Sequence, residues 1–152
     1  MKKYILYAGV NGAGKSTLYQ TTKYKDSMPR INTDEILRTI GEWNKTSDII
    51  AVGKIAVKKL SQYMDAGITF NQETTLCGNA IFKNIKMAKE RGYIVEMHYV
   101  GLASVDLAKE RIARRVSMGG HGIPDKDVER RYENSFENLA KIIPDWYMDR
   151  FQ

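Results

Sequence analysis

The sequence predicts an α/β fold, a mainly parallel β-sheet covered by helices on both faces, and three observations carry that prediction. Short apolar runs alternate with longer segments of helical period along the whole chain, the pattern of strands joined by helical crossovers. The first apolar run, Tyr4 to Ala8, leads straight into a glycine-rich segment, Gly9 to Thr17, that reads GVNGAGKST and fits GxxxxGK[ST]. A strand before such a segment and a helix after it are the setting in which it forms a phosphate-binding loop. Finally, 152 residues with 43% apolar composition suffice for one core, so a single domain spanning 1–152 is expected.

These observations specify a P-loop NTPase-type three-layer sandwich, and its elements follow from pattern and punctuation. The first strand covers about Lys3 to Ala8, and the first helix runs from Lys15 to about Lys23. A short second strand after Pro29 ends at Arg30, Ile31 and Asn32. Thr33 reads as the N-cap of a helix that opens with Asp34 and Glu35. From Ser47 to Ala66, Ile49, Ile50, Val52, Ile55, Ala56, Val57, Leu60 and Met64 fall on one broad helical stripe, which predicts a core-facing helix stopped by Gly67. Ile68 to Phe70 lead into a third strand that continues through Leu76. Asn79 to Arg91 form a helix ended by Gly92, and Tyr93 to Val100 form the fourth strand. A helix from about Ser104 to Met118, the turn Gly-Gly-His-Gly at 119–122 and a helix opened by Pro124 and running to about Ile143 complete the set.

Composition removes several classes of function. No apolar stretch approaches the roughly 18 residues that span a bilayer, and the amino-terminal apolar run is too short for a secretory signal. A cytoplasmic protein without membrane contact is expected. The single cysteine, Cys77, allows no intramolecular disulfide. Two histidines and one cysteine without close spacing argue against zinc, and the absence of GxSxG argues against a serine nucleophile. The net charge of +6 fits attraction to nucleic acid or an acidic protein, or a surplus of cations aimed at phosphorylated ligands. Basic pairs at 2–3, 58–59, 114–115 and 130–131 form no block of five and no aromatic-interleaved stripe, and the arginine pairs flank a glycine turn. The ligand reading is favoured, and nucleic acid is not expected as a partner.

In the phosphate loop, Gly9, Asn11, Gly12, Ala13, Gly14, Lys15, Ser16 and Thr17 are the candidate ligands of ATP or GTP. The glycines let backbone N–H groups turn toward phosphates, Lys15 reaches the β- and γ-phosphates, and the Ser16 hydroxyl is the candidate Mg²⁺ ligand. In an α/β sheet ligands sit beyond the carboxyl ends of the strands, which places Asn32, Asp34 and Glu35, and then Glu73, Thr74 and Thr75, near those phosphates. Transfer to a hydroxyl needs a carboxylate within reach of it, and Asp34 is the candidate; an acid favoured by a helix dipole is the plainer account. Glu73 among strand residues needs a partner or a ligand, so it and Thr75 are candidate acceptor groups, with a structural salt bridge as the competing account. Residues 111–132 read as an arginine-bearing lid over a triphosphate. Arg115 and Arg131 are singled out there, with Arg111 and Arg130 behind them, and at least two of the five lid arginines are expected to be only solvated. His121 lies in the glycine turn, to contact a ligand or cap a helix, and His98 is read as a packed strand residue.

The phosphate loop, INTDEI at 31–36, ETTL at 73–76 and the closing RVSMGGHGIP and RRYENSFENL within 115–139 resemble the zeta-toxin family, in particular its compact bacterial branch of predicted ATPases or kinases. The resemblance covers nearly the whole chain in the same order, and the Gly-Gly-His plus Arg-Arg-Tyr segment is its most specific part. It implies a P-loop kinase that uses Mg²⁺ and a nucleoside triphosphate, as the characterised toxins do in phosphorylating a sugar hydroxyl of UDP-N-acetylglucosamine. It implies Lys15 and Ser16 on nucleotide and metal, Asp34 as general base, Glu73 and Thr75 near the acceptor, lid arginines on the γ-phosphate and an antitoxin-like protein partner. The chain is shorter than the toxins and lacks the region that helps enclose a nucleotide sugar. It ends where compact relatives continue into another strand, so a sheet edge left open or completed by a partner is expected. The function expected is phosphoryl transfer from ATP or GTP to a hydroxyl of a small molecule such as a nucleotide sugar. A kinase acting on a nucleic-acid end and a nucleotide-binding regulatory module with little turnover are the alternatives.

Overall fold

The computed structural model describes the backbone of residues 1–148 and the side chains through Pro144. Its elements are β1 (Lys3–Ala8), α1 (Lys15–Thr21), β2 (Arg30–Ile31), α2 (Thr33–Ile40), α3 (Thr46–Asp65), β3 (Phe70–Thr74), α4 (Ala80–Glu90), β4 (Ile94–Tyr99), α5 (Val105–Ser117) and α6 (Asp125–Met148). All described strand pairs are parallel, in the order β2-β3-β1-β4. The predicted α/β architecture is therefore the one found.

β1 is buried on both sides because it lies between β3 and β4 and its residues alternate between the two faces. Tyr4, Leu6 and Ala8 enter the larger core with Ile36 and Leu37 of α2, Val52, Ala56, Leu60 and Met64 of α3, and Ile81, Ile85 and Ala88 of α4. Ile5 and Tyr7 face the other way, onto Tyr19 of α1. Full burial of a side chain such as Leu6 contributes about 1.5–3 kcal/mol. A third small core, Ala108, Ile112 and Val128, holds α5 to α6.

The chain leaves β1 toward β2, returns to β3 and then crosses to β4, so the direction of winding switches at the carboxyl end of β1. The registers Tyr7 with Glu73 and Ala8 with Thr74 put the loop after β1 directly beside the end of β3. That is the position in which an open α/β sheet places its ligands.

Several sequence expectations need correction. The N-cap of α2 is Asn32, not Thr33: the Asn32 side chain accepts from the Asp34 amide at 3.0 Å, and Thr33 is already helical. α1 stops at Thr21, because Thr22 turns extended and its hydroxyl donates to the Tyr19 carbonyl at 2.9 Å. The buried stripe of α3 is the strict four-residue series 52, 56, 60, 64, whereas Ile49, Ile50 and Val57 are exposed. β3 ends at Thr74 because Leu76 takes a left-handed backbone at φ 62°. α6 continues through Pro144, which forgoes one helical hydrogen bond, and reaches Met148. The divergent carboxyl end lies partly at 149–152, outside the described residues. Among the described residues no helix is long and apolar enough to cross a membrane.

Candidate active site

The phosphate loop is built by close approach. Gly9, at φ 150°, lies so near β4 that a Cβ would sit 2.3 Å from the Val100 carbonyl oxygen, which no side chain tolerates. Gly14, at φ 99°, caps α1 without a side chain over its first amides, leaving them for an anion. Lys15 is buried, and its ammonium donates to the Gly9 and Val10 carbonyls at 2.8 and 3.2 Å. Burial lowers its pKa from the ordinary lysine value, against the opposing attraction of Glu73 and Asp34. Arg115 adds to the lowering, so the charges of Glu73, Asp34 and Arg115 all reach the Lys15 ammonium.

Glu73, at the end of β3, is the hub of a polar network. Its Oε2 accepts from Arg30 Nη2 at 2.5 Å, Asn32 Nδ2 at 3.0 Å and Ser16 Oγ at 2.9 Å. Arg30 is nearly buried, lies 3.7 Å from the ring centroid of Tyr19 and donates to Asn71 Oδ1 at 2.9 Å. A buried carboxylate is costly unless paired and hydrogen-bonded, and this one is both. Sequence reasoning had not singled out Arg30. The available signal was an arginine in a short strand, which needs a partner; the register Arg30 with Asn71, which brings it beside Glu73, is visible only in the fold. Thr75 follows the end of β3 and is half-buried. Asp34 sits in the first turn of α2 with its side chain 41% exposed, against 10% for Glu73 and 53% for Glu35, which lies 3.4 Å from Arg30 Nε.

Both lid helices touch the loop. Arg111 of α5 donates to the Gly12 carbonyl at 3.2 Å, and Arg131 of α6 donates to Asn11 Oδ1 at 3.2 Å. Arg115 instead holds the glycine turn, its Nε donating to the His121 carbonyl at 2.9 Å. Arg130 pairs with Asp127 of its own helix and is exposed, as is Arg114. Arg111, Arg114 and Arg115 line a groove of about 320 Å³ with Met118 and Gly120. His98 is bonded to Glu96 at 2.8 Å and stacked on Tyr7. No group of three or more His, Cys, Asp or Glu side chains that could hold a metal occurs among the described residues.

A glycine-rich loop between β1 and α1, a parallel sheet wound outward from that strand and arginines from two covering helices define a P-loop ATPase fold of the kinase-like kind. The chain belongs to the AAA domain family, which matches residues 5–139. An uncharacterized protein of Haemophilus influenzae is 36% identical over 130 residues, covering 86% of this chain and 92% of that protein. Among solved structures, a chain of the Pnkp1/Rnl/Hen1 RNA repair complex superposes with a TM-score of 0.72 at 17% identity, covering 92% of this chain and 46% of its own length. A candidate kinase from Chloroflexus aurantiacus superposes with a TM-score of 0.66 at 16% identity, covering 86% of this chain and 78% of that one. The chain thus spans about half of the RNA repair chain it matches.

Two expectations change. Membership is established in the AAA domain family, with a fold shared by kinase-like structures, and not specifically in the zeta-toxin family. The expectation that nucleic acid is no partner is corrected by the likeness to a chain of an RNA repair complex. The expectation rested on the lack of a contiguous basic block, and phosphates need none: cations brought together by the fold, as Arg111 and Arg131 are at the loop, serve a nucleotide or a nucleic-acid end alike.

Proposed function

We propose that the protein is an ATP- or GTP-dependent phosphotransferase whose acceptor is a hydroxyl at a nucleic-acid end. The observation that carries the transferase reading is the placement of Asp34: an accessible carboxylate whose charge reaches the phosphate-loop lysine. The acceptor oxygen would attack the γ-phosphorus as the bond to the β-phosphate oxygen breaks. Its proton would pass to Asp34, and the nucleoside diphosphate would leave. Lys15, released from its two carbonyls, and the lid arginines would meet the charge on the phosphoryl oxygens.

The donors suit Mg²⁺. Ser16 Oγ lies beside Glu73, an all-oxygen pair of the kind Mg²⁺ takes together with waters and nucleotide phosphates. Ser16 would hold it, with Glu73 orienting that hydroxyl, and the ion would neutralise charge between the β- and γ-phosphates. Glu73 is better suited to this task than to the acceptor, since its Oε2 is already shared by Arg30, Asn32 and Ser16.

Support for a nucleic-acid acceptor comes from the fold likeness to the RNA repair chain, the net charge of +6 and the arginine-lined groove. The test is transfer of labelled γ-phosphoryl to a 5′-hydroxyl oligonucleotide, beside UDP-N-acetylglucosamine and free nucleosides. Labelled oligonucleotide, with affinity falling steeply as salt rises, is the expected result. Label on the nucleotide sugar alone would restore the small-molecule reading implied by the zeta-toxin resemblance, and tight nucleotide binding without transfer would favour a regulatory module.

A further inference from the structure

The turn 119–122 packs closely on α5 and on the connection between α2 and α3, and these contacts explain its glycines. A Cβ on Gly120 would lie 2.5 Å from Arg115 Cγ and 3.0 Å from the Arg115 carbonyl oxygen. One on Gly122 would lie 2.8 Å from Cη2 of Trp43, in the connection between α2 and α3. The Gly120 amide donates to the Arg115 carbonyl, and Arg115 Nε donates back to the His121 carbonyl, each at 2.9 Å.

Within this turn the His121 ring carries the only buried side-chain nitrogen or oxygen among the described residues that lacks a hydrogen-bond partner, Nδ1. It points at Asp34: Nδ1 lies 3.8 Å from Asp34 Oδ1. Asp34 is itself anchored, its amide bonded to the Asn32 side chain at the start of α2. The gap exceeds a charge-assisted hydrogen bond by about 1 Å. Buried polar atoms are almost always satisfied, and active-site hydrogen bonds that are long in the free protein commonly tighten when ligands bind. The charged group facing the ring is Asp34 from α2, while Arg115 from α5 reaches the backbone carbonyl of the same residue.

We propose that His121 is a positioning residue for Asp34. When the lid settles on a bound triphosphate, Nδ1–H donates to Oδ1, which turns Oδ2 toward the acceptor hydroxyl and ties readiness of the carboxylate to lid closure. The turn that carries His121 meets α5 through Arg115 and, at Gly122, the α2–α3 connection through Trp43. The proposal rests on the reading of Asp34 as the proton acceptor.

The direct test is long-range ¹H–¹⁵N NMR of the two imidazoles, with His98 as internal control, in the protein saturated with a non-hydrolysable ATP analogue and Mg²⁺. A slowly exchanging proton on His121 Nδ1 is expected, lost in Asp34→Ala while the His98 signals stay. A bare Nδ1, or one whose proton persists unchanged in Asp34→Ala, overturns the proposal whatever the turnover. In kinetics, His121→Phe should lower kcat for oligonucleotide phosphorylation about 10- to 100-fold with KM for both substrates little changed, a part of the 10²–10⁴ that a positioned base supplies. His121→Asn, which keeps a donor near Nδ1, should recover most of it. Equal losses in both variants, or a loss confined to KM, would contradict positioning. Full turnover by Asp34→Asn with the Nδ1 proton intact would instead remove the base reading and leave the pairing standing.

Discussion

Replacing Arg30 by methionine should show what holds the polar hub together. The guanidinium and the Glu73 carboxylate have side chains only 9% and 10% exposed, so the variant strands a nearly buried charge. Removing one partner of such a pair costs about 3–5 kcal/mol. Glu73 keeps its bonds from Asn32 at 3.0 Å and Ser16 at 2.9 Å, and methionine keeps apolar contact with Tyr19, which puts the expected cost near 3 kcal/mol. With a urea dependence of about 2 kcal/mol per molar, the unfolding midpoint should fall by roughly 1.5 M. Arg30→Met/Glu73→Gln, which strands no charge, should recover about 2 kcal/mol of that loss, read as a coupling in a double-mutant cycle. Additive single variants, each costing under about 1 kcal/mol, would refute the claim that the pair is desolvated and mutually dependent.

Other predictions concern the turns and the loop lysine. Asn138 Nδ2 donates to the carbonyls of Leu76 and Gly78 at 2.8 and 3.0 Å, so Asn138→Leu should cost about 1–3 kcal/mol by denaturant unfolding and raise amide exchange in the left-handed turn at Leu76. Gly122→Ala should cost about 1–3 kcal/mol, because the new methyl meets the rigid Trp43 ring at 2.8 Å, and Trp43→Leu should return part of it. Burial lowers the Lys15 pKa, so between that lowered value and about 10.4 the unfolded chain binds the extra proton and folding gains stability as pH rises. The wild type should therefore gain on Lys15→Met between pH 7 and 10, measured from paired urea midpoints, and a constant difference would contradict the burial penalty.

The sequence made local features legible and left the meetings between distant segments hidden. The loop Gly9 to Thr17, β1 and the α4 and α5 helices could be read because a motif or an apolar period marks each within a few residues. The buried face of α3 is narrower than the sequence suggests, since Ile49, Ile50 and Val57 satisfy a helical stripe wider than the face the helix buries. Glu73 was noticed because an acid in a strand needs a partner, yet Arg30, 43 residues earlier, could be matched to it only through parallel register. Asn138 and Trp43 went unseen for a similar reason: each acts on backbone or glycine far along the chain, and side-chain type alone says nothing of that.

Asp34→Asn compared with wild type tests the central claim most directly, with nucleotide affinity and γ-phosphoryl transfer to a 5′-hydroxyl oligonucleotide measured on the same samples. The substitution keeps size and the Asn32 cap to the backbone amide, so folding and nucleotide affinity should stay within about twofold. Transfer should fall by about 10²–10⁴, the contribution of a positioned base. Transfer within a few-fold of wild type, with nucleotide still bound, would contradict the account and return Asp34 to the role of a helix-dipole charge.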